Sequence, residues 1–400
     1  MEREEKRTMK IVDFKTYIVG NPPPHRGGIN WVFLKITTDN GVEGIGEVFK
    51  VPVRPPTAVS LIEDMGEQFI IGADPFKIER LWRLLFSSGY DQHPDITKMG
   101  IISAFEMACW DIIGKELNQP VYNLLGGQFH EKLRSYTYLT PVPGTEPRNV
   151  FGDPDAAAES AVYCVKQGFT AVKFDPVVGI HTAYEPVEAS AEVLDNAEAV
   201  VRSVREAIGG KCDLLIGTHG QLNTYSAIRL ARRIEKYDPL WFEEPVPPNN
   251  IDEMARVARA TSIPVATGER LSTRYEFAQL LEKRAAAILQ MALGRAGGIM
   301  EAKSIAKMAE VYYAQIAPHL YCGPVELAAN IQISTCSGNF LLQETIDMCG
   351  GFHAEILKKP IKWENGYIIP PTGPGLGVEL NEEVAAKHPY NKVEPGVWKW

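Results

Sequence analysis

The chain has 400 residues, a length that suits one large barrel with a smaller second domain better than a single ordinary core. Its 45% hydrophobic and 23% charged residues are typical of a soluble globular protein. The net charge of −9, with no run of Lys and Arg, argues against a nucleic-acid surface, although local cations could still hold an anionic substrate.

The N-terminal region contains no targeting pattern. Eight mostly charged residues, MEREEKRT, precede the first apolar strand pattern, which opens at Met9. They do not resemble a signal peptide, and no apolar stretch is long enough to span a membrane. The six cysteines are scattered without CxxC or zinc-type spacing, which favours reduced thiols. We therefore expect a cytoplasmic protein with no membrane partner.

The first third of the chain places strands before helices. The segment WVFLKITTDNGVEGIGEVF holds two β-rich runs joined at residues 39–41, where Asp-Asn-Gly is a strong hairpin signal. A helical pattern follows from about residue 96 to residue 117, and PVYNLLGG at 120–127 is typical of an exit turn. Strands followed by helices predict an α+β domain, to which we assign residues 9–130.

From about residue 134 the pattern becomes strand, loop and helix, repeated. Short apolar runs of this kind cover residues 170–174, 213–217, 240–244, 263–269, 286–291, 314–319 and 339–344. Amphipathic helix patterns lie between most of them, as at 225–237 and 275–287. Seven or eight such units predict a parallel sheet closed into a barrel, over residues 131–354. We expect the Pro- and Gly-rich residues 355–400 to pack back on the first domain.

The ends of the barrel strands are where such folds keep their active sites. Glu243 ends LWFEE, and Glu269 ends IPVATGE 26 residues later. Lys173 lies near the end of an earlier strand, TAVKF. Steps of similar length from the two glutamates reach Gly217, Ala292, His319 and Glu344. One strand plus one helix is about this long, so these positions should form a ring at one mouth of the barrel.

Such a ring fits removal of a proton next to a carboxylate. That proton is weakly acidic, so a hard cation must neutralise the charge that develops, and the oxygens of Glu243 and Glu269 suit Mg²⁺. The reaction also needs a base near one face of the carbon and often an acid near the other. Lys173 and His319 lie on well-separated strands and could flank the substrate. A lysine close to a divalent cation should have a lowered pKa, which makes it usable as a base.

Several long motifs stand in a shared order along almost the whole chain. They are DNGVEGIGE, ACWDIIGKELNQPVYNLLGG, WFEEPVPP, ATGERL, GRAGGI, IAPHLYCGP and PPTGPGLGVEL. In these motifs the chain resembles the mandelate racemase / muconate lactonizing enzyme branch of the enolase superfamily, and its acid-sugar dehydratases in particular. The resemblance implies an α/β fold, in which an N-terminal α+β domain, completed by the C-terminal tail, caps a modified, TIM-like (β/α)-barrel.

The same resemblance implies roles for the strand-end residues. The family holds Mg²⁺ with three acids, and by position Glu243 and Glu269 match the second and third. Lys173 matches the lysine of the second strand, His319 the base of the seventh, and Glu344 the eighth-strand acid that contacts the substrate carboxylate. Mn²⁺ or another divalent ion could replace Mg²⁺.

One departure from the family concerns the first metal acid. That acid is normally an Asp that ends the third strand, and here the position is Gly217. His219, two residues on, points to the same side and matches the general acid of the dehydratases, so it is either that acid or a substitute ligand. An imidazole ligand would favour Mn²⁺, Fe²⁺ or Zn²⁺. Asp175, in KFDP, is a second candidate to supply the missing oxygen.

Further departures and candidates lie around the ring. Ala292 stands where an Asp commonly orients the seventh-strand histidine, so His319 should be less tightly positioned and could use a different neighbour. In the resembling family the loop at 22–28 closes on the substrate. Gly297-Gly298 should start a helix and could bind an anion. The candidate substrate-binding residues are therefore His25, Arg26 and Trp31 from the loop region, and Arg270 of ATGERL.

The main hypothesis is an acid-sugar dehydratase that forms a 2-keto-3-deoxy sugar acid. His319 or Lys173 would remove the α-proton, and the β-hydroxyl would leave with His219 or His319 as acid. A cycloisomerase that opens an anhydro-sugar acid or lactone is the close alternative, because the missing Asp, GTHGQ and IAPHLYCGP resemble the group with anhydro-galactonate cycloisomerases. A racemase or epimerase would leave His219 idle, and a non-catalytic binding barrel is the last alternative. The family also suggests a homo-oligomer.

Overall fold

The fold is that of a computed structural model, which describes residues 9–180 and 186–392. An antiparallel sheet opens the chain, with β1 (Ile11–Gly20), β2 (Asn30–Thr38) and β3 (Glu43–Val48). The predicted hairpin is confirmed, because β2 pairs with β3 and Gly41 adopts φ 83° in the turn between them. The helices that follow are α1 (Pro55–Met65), α2 (Ile78–Phe86), α3 (Ile96–Glu116) and α4 (Val121–Leu124).

Helix α3 forms the core of this first domain. It starts where the side chain of Asp95 accepts a hydrogen bond from the Lys98 N–H at 2.7 Å, and most of its side chains are buried. Strand β3 packs directly on it. A β-carbon at Gly44 or Gly46 would overlap the carbonyl oxygens of Ala108 and Ala104, so the two glycines let strand and helix backbones touch.

Eight parallel strands form the second domain. They are β4 (Leu133–Tyr138), β5 (Ala171–Phe174), β6 (Asp213–Ile216), β7 (Trp241–Glu243), β8 (Val265–Thr267), β9 (Ile288–Leu289), β10 (Gln315–Ile316) and β11 (Gln343–Glu344). Neighbours pair in parallel from β4 to β10. A bridge between Ile316 and Phe340 and the pairing of β11 with β4 close the ring. The predicted barrel under an N-terminal α+β domain is confirmed.

Helices surround the barrel on its outside. They are α5 (Pro154–Lys166), α6 (Ala191–Ile208), α7 (Thr224–Ile234), α8 (Ile251–Ala260), α9 (Thr273–Glu282), α10 (Leu293–Ala296), α11 (Ile299–Val311) and α12 (Pro324–Thr335). The eighth strand is followed by a 3₁₀ turn (Asp347–Cys349) and the short helix α13 (Gly351–Glu355). Among the described residues, the last unit therefore carries no full-length covering helix.

One side chain from each strand region fills the middle of the barrel. This interior layer consists of Tyr136, Ala171, Leu215, Trp241, Ala266, Ile288, Ala317 and Leu342. Two large aromatic rings fit beside three alanines, and the rings of Tyr136 and Trp241 meet edge to face at 5.3 Å. The interior is therefore closed below the mouth, as expected for a packed barrel core rather than a pore.

The C-terminal segment contacts both domains. It contains β12 (Lys362–Glu364), β13 (Tyr367–Ile369), which pairs with β4, and α14 (Glu382–Lys387), which lies against β1. The boundaries 9–130, 131–354 and 355–400 stay predictions, and residues 393–400 lie outside the described part. No helix among the described residues is long and apolar enough to cross a membrane, and the six cysteines are free and buried.

Candidate active site

The candidate site lies directly above the interior layer of the barrel. Side chains two residues apart on a strand face the same side, so the next inward position is found by adding two to each interior residue. That step gives Tyr138, Lys173, Gly217, Glu243, Gln290, His319 and Glu344. Glu269 follows Ala266 by three residues instead, because Gly268, with φ 137°, interrupts the alternation. The structure thus brings the strand-end positions together at one mouth.

Glu243 is the most closely held group of the site. It is fully buried, and one oxygen forms an ion pair with the ammonium of Lys173. Its other oxygen accepts hydrogen bonds from Trp241 Nε1 at 3.1 Å and from Gln290 Nε2 at 2.7 Å. Burial raises the pKa of Glu243, although Lys173 acts against that shift. Three donors therefore fix this carboxylate.

Lys173 is held by a carboxylate. Burial would lower its pKa, but the carboxylate of Glu243 raises the pKa of Lys173 well above its ordinary value. The lowered pKa expected of a lysine close to a divalent cation stays a prediction for the metal-bound protein. Its ammonium also lies 4.8 Å from the ring centroid of Tyr138.

His319 uses a different neighbour from the one its family position implies. Its Nε2 lies 3.2 Å from Oε2 of Glu269, and its backbone carbonyl accepts a hydrogen bond from Asn330. Its Nδ1 is buried without a hydrogen-bond partner in the described chain, and Ala292 offers none. Burial lowers the pKa of His319 to about 4. Burial would raise the pKa of Glu269, but the two site histidines, His319 and His219, lower it to about 2.

His219 and Asp175 form a second pair at the mouth. Nδ1 of His219 lies 3.2 Å from Oδ2 of Asp175, and its backbone N–H donates to Gln221 at 2.7 Å. Burial would lower the pKa of His219, but the contact with Asp175 raises it to about 9. The other oxygen of Asp175, Oδ1, is buried and has no hydrogen-bond partner among the described residues.

Glu344 lies on the eighth strand, next to the segment that carries His319. One of its oxygens accepts a hydrogen bond from the backbone N–H of Leu320 at 2.7 Å. Burial raises the pKa of Glu344 to about 7. The structure therefore brings Glu344 to the same mouth as Lys173 and His319.

The loop candidates are held by protein partners. Arg26 forms an ion pair with Asp347, in the segment after β11. Trp31 is 2% exposed, donates from Nε1 to the Gly27 carbonyl at 2.9 Å and stacks on Phe352. These contacts anchor the capping-domain loop to the barrel.

The other two substrate-binding candidates are also engaged. His25 places Nδ1 2.6 Å from the Asn21 carbonyl oxygen. Arg270 donates from Nε to Glu244 at 2.7 Å. The polar groups of these side chains are thus partly satisfied within the protein, whereas Nδ1 of His319 is buried without a hydrogen-bond partner in the described regions.

Sequence reasoning missed three side chains that support the site. Trp241 and Gln290 hold Glu243, and the strand period of two could have found both. Arg295, within the GRAGGI motif, donates to the carbonyl oxygen of Glu269 at 3.2 Å and to that of Lys50 at 2.9 Å. Arg295 thereby ties the capping domain to the strand end that carries a site carboxylate, a link that no local pattern reveals.

The donor chemistry of the mouth suits a divalent cation. Within residues 9–180 and 186–392, no three His, Cys, Asp or Glu side chains converge as a ready ligand cluster. Yet Oδ1 of Asp175 is buried without a hydrogen bond in the same described ranges, whereas Oε2 of Glu269 lies 3.2 Å from Nε2 of His319. A buried charged oxygen without a partner is costly, so Oδ1 of Asp175 is an atom that a cation would satisfy. Lys173 would compete with that cation for Glu243.

Comparisons with known proteins agree with this geometry. Residues 155–384 match the model of enolase C-terminal domain-like proteins, and residues 25–126 match that of the mandelate racemase / muconate lactonizing enzyme N-terminal domain. A D-galactonate dehydratase of Cronobacter sakazakii is 36% identical, over 94% of this chain and 93% of its own length. A D-galactonate dehydratase of Ralstonia nicotianae is 37% identical, with the same two coverages.

A solved structure is also closely similar. It comes from Burkholderia SAR-1 and is a candidate mandelate racemase/muconate lactonizing enzyme. It is 56% identical to this chain, has a TM-score of 0.94, and covers 96% of this chain and 95% of its own. Sequence and fold therefore agree over nearly the whole length.

Proposed function

We propose that this chain, which belongs to the mandelate racemase / muconate lactonizing enzyme family of the enolase superfamily, dehydrates a sugar acid with the help of a divalent metal ion. The observation that carries the proposal is the meeting of two carboxylates, Glu243 and Glu269, with Lys173, His219 and His319 at one barrel mouth. These are the groups that proton removal next to a carboxylate requires.

We propose Mg²⁺ as the ion, with Glu243 and Glu269 among the residues that hold it. Both offer carboxylate oxygens, which are the ligands that Mg²⁺ prefers, and Mn²⁺ would be accepted by the same donors. When bound, the ion supplies positive charge that stabilises the negative charge developing on the substrate carboxylate.

The two histidines divide the proton transfers. His319 has an unpartnered buried ring nitrogen, whereas the ammonium of Lys173 is engaged by Glu243, so we assign removal of the α-proton to His319. Lys173 holds Glu243 in place. His219 has Nδ1 next to Asp175, which leaves Nε2 to protonate the departing β-hydroxyl. The carbon–hydrogen bond at C2 and the carbon–oxygen bond at C3 break, and water leaves. The enol that forms becomes the 2-keto-3-deoxy acid.

The substrate proposal is narrower than the reaction class. D-galactonate is the first candidate, because the curated relatives with this name match the chain over more than nine tenths of its length. Glu344, at the same mouth, would contact the substrate carboxylate. We further propose that the protein acts in the cytoplasm as a homo-oligomer on a small sugar-acid substrate, with no nucleic acid or membrane as partner.

The test is a set of sugar acids, including D-galactonate, incubated with the protein and Mg²⁺ or Mn²⁺ in deuterated water. We expect a 2-keto-3-deoxy acid with deuterium at C3. His219→Gln should lower dehydration by about 100-fold or more, because general acid catalysis contributes roughly 10²–10⁴-fold. The His219→Gln variant should still exchange the C2 proton with solvent, whereas His319→Gln should abolish that exchange. His93→Gln, at an exposed position, is the matched control.

Other outcomes would contradict dehydration. A ring-opened isomer of unchanged mass from an anhydro-sugar acid or lactone would indicate a cycloisomerase. Deuterium exchange with inversion alone would indicate a racemase. If Glu243→Gln kept its affinity for the sugar acid, and if no product formed with any variant or metal, the barrel would be a binding protein.

A further inference from the structure

Position 217 and Asp175 are neighbours on adjacent strands. Strands β5 and β6 run parallel with Phe174 opposite Ile216, and the N–H of Gly217 donates to the carbonyl oxygen of Phe174 at 2.9 Å. The two residues that follow this pair, Asp175 and Gly217, therefore leave the sheet side by side. Asp175 also lies two residues after Lys173, and so belongs to the same inward face of its strand.

The carboxylate of Asp175 occupies the space in front of Gly217. A β-carbon on Gly217 would overlap Oδ1 of Asp175 and lie 3.1 Å from its Cγ. The same atom would lie 3.3 Å from Cε of Lys173. Any side chain at 217 would thus begin where the Asp175 carboxylate now stands. The present position of the Asp175 carboxylate therefore requires glycine at 217.

The two oxygens of Asp175 have different surroundings. Oδ2 lies 3.2 Å from Nδ1 of His219. Oδ1 is buried and has no hydrogen-bond donor in the described regions. Burying a carboxylate oxygen in this way costs free energy unless a cation or a hydrogen-bond donor contacts it. The nearest lysine, Lys173, is already paired with Glu243.

We propose that Asp175 stands in for the acid missing at position 217 and supplies a third carboxylate oxygen, Oδ1, to the divalent cation. Its Oδ2 meanwhile holds His219, which is a proton donor and not a ligand. This inference rests on the proposed metal-dependent function. It explains why the first acid of the family can be lost without loss of the site: the carboxylate has moved from the end of β6 to the end of β5.

Metal affinity of the substrate-free protein tests this role. The protein is stripped with EDTA, and the Kd for Mn²⁺ is measured by calorimetry and by the electron paramagnetic resonance of bound Mn²⁺. Asp175→Asn, which keeps the side-chain size, should weaken binding by about tenfold or more, since even outer groups of a metal site contribute roughly 10–100-fold. Gly217→Ala should do the same by displacing the carboxylate while leaving Asp175 in the chain.

Two further variants complete the experiment. Asp213→Asn removes a carboxylate at the opposite end of β6, where Asp213 pairs with Arg134, and should leave the Kd within twofold of the unchanged protein. The double variant Asp175→Gly with Gly217→Asp returns the carboxylate to β6 and should recover most of the affinity. Circular dichroism and thermal unfolding in EDTA establish that each variant is folded. If Asp175→Asn does not fold, Gly217→Ala decides the question.

The contrary results separate the two proposals. Unchanged Mn²⁺ affinity in Asp175→Asn and Gly217→Ala, together with its loss in Glu243→Gln, would overturn the role of Asp175 and leave the proposed function standing. A double variant that binds no better than Asp175→Asn would overturn the equivalence of the two positions. If neither the unchanged protein nor Glu243→Gln bound Mn²⁺ at millimolar concentration, the metal-dependent function itself would fail.

Discussion

Arg270 donates a hydrogen bond from Nε to the carboxylate of Glu244 at 2.7 Å and forms an ion pair with it, and Glu244 is completely buried just after β7. A buried carboxylate needs such a partner, because its charge is otherwise left without solvation. The sequence indicated Arg270 as a candidate for substrate binding. In the structure it contacts Glu244 and compensates the buried charge of that carboxylate.

Arg270→Met should cost about 2 kcal/mol of unfolding free energy, because it leaves the buried Glu244 without its charged donor. Urea denaturation of the metal-free protein measures this loss. Arg259→Met, at an exposed position on α8, is the control and should stay within about 0.5 kcal/mol of the unchanged protein. If Arg270→Met kept full stability but raised KM for the sugar acid, the side chain would bind substrate instead.

For single residues, spacing along the chain predicts which side chains face the barrel interior but not which of them pair. The period of two along a strand places Lys173, Glu243, His319 and Glu344 on the inward face, and the sequence suffices for that. It does not reveal that Lys173 pairs with Glu243. Such a pairing depends on side-chain rotamers and on the distance between strands, which the chain acquires only on folding.

At the scale of elements, buried carboxylates of the first domain cap helices of the barrel. Glu106, on α3, accepts hydrogen bonds from the backbone N–H groups of Ile299 and Met300 at 2.6 and 2.8 Å. Glu47, on β3, accepts from three N–H groups at the start of α12. The first groups of a helix have no internal partners and carry partial positive charge. The carboxyl group of Glu106 therefore occupies the helix start at Gly297-Gly298, where the sequence allowed an anion to bind.

Glu106→Gln should destabilise the protein by about 1–3 kcal/mol, because both carboxylate oxygens accept hydrogen bonds and the amide NH₂ cannot. Burial raises the pKa of Glu106 to about 8, so the comparison belongs at pH 9, where the carboxylate is charged. Chemical denaturation measures it, with Glu116→Gln at the exposed end of the same helix as control. Equal stability of Glu106→Gln and the unchanged protein at pH 9 would refute the capping role.

Element boundaries follow the sequence closely in some places and poorly in others. The helix predicted over 96–117 ends at Glu116, as local apolar spacing indicated. The helix predicted over 275–287 ends earlier, at Glu282, because Arg284 turns with φ 54° so that the chain can enter β9. The apolar run 286–291 contains only two residues of paired strand. Apolar runs report burial, whereas pairing depends on where the neighbouring strand lies.

Across the whole molecule, the C-terminal segment returns to the first sheet. Glu382 in α14 accepts hydrogen bonds from Lys35 at 2.6 Å and from Tyr17 at 2.5 Å. Asn391 donates its backbone N–H to the side chain of Asn30 at 2.8 Å. Glu382, with its cationic and phenolic neighbours, therefore helps to join the C-terminal segment to the first sheet.

Acid should loosen this contact. The hydrogen bonds from Lys35 and Tyr17 lower the pKa of Glu382 to about 2. Because the folded pKa lies below the unfolded one, the stabilisation is complete above about pH 4.5 and is lost as pH falls toward 2. Hydrogen exchange of the α14 amides should therefore accelerate between pH 4.5 and 2, after correction for intrinsic rates.

Glu382→Gln should show fast α14 exchange throughout that range, with no added effect of acid. Glu383→Gln, an exposed neighbour on the same helix, is the control and should keep the acid dependence of the unchanged protein. Fast exchange in both variants, or in neither, would mean that Glu382 does not hold the C-terminal segment in place.

The sequence alone determined the alternation of strands and helices, the two-domain plan and the list of strand-end residues, because these depend on local periodicity and on motif order. The tertiary structure decided which of those residues meet. It paired Lys173 with Glu243, placed Glu269 beside His319, and brought the carboxylate of Asp175 into the space that Gly217 leaves open. These contacts join residues 42 to 70 positions apart, and only closure of the barrel sets the distances between them.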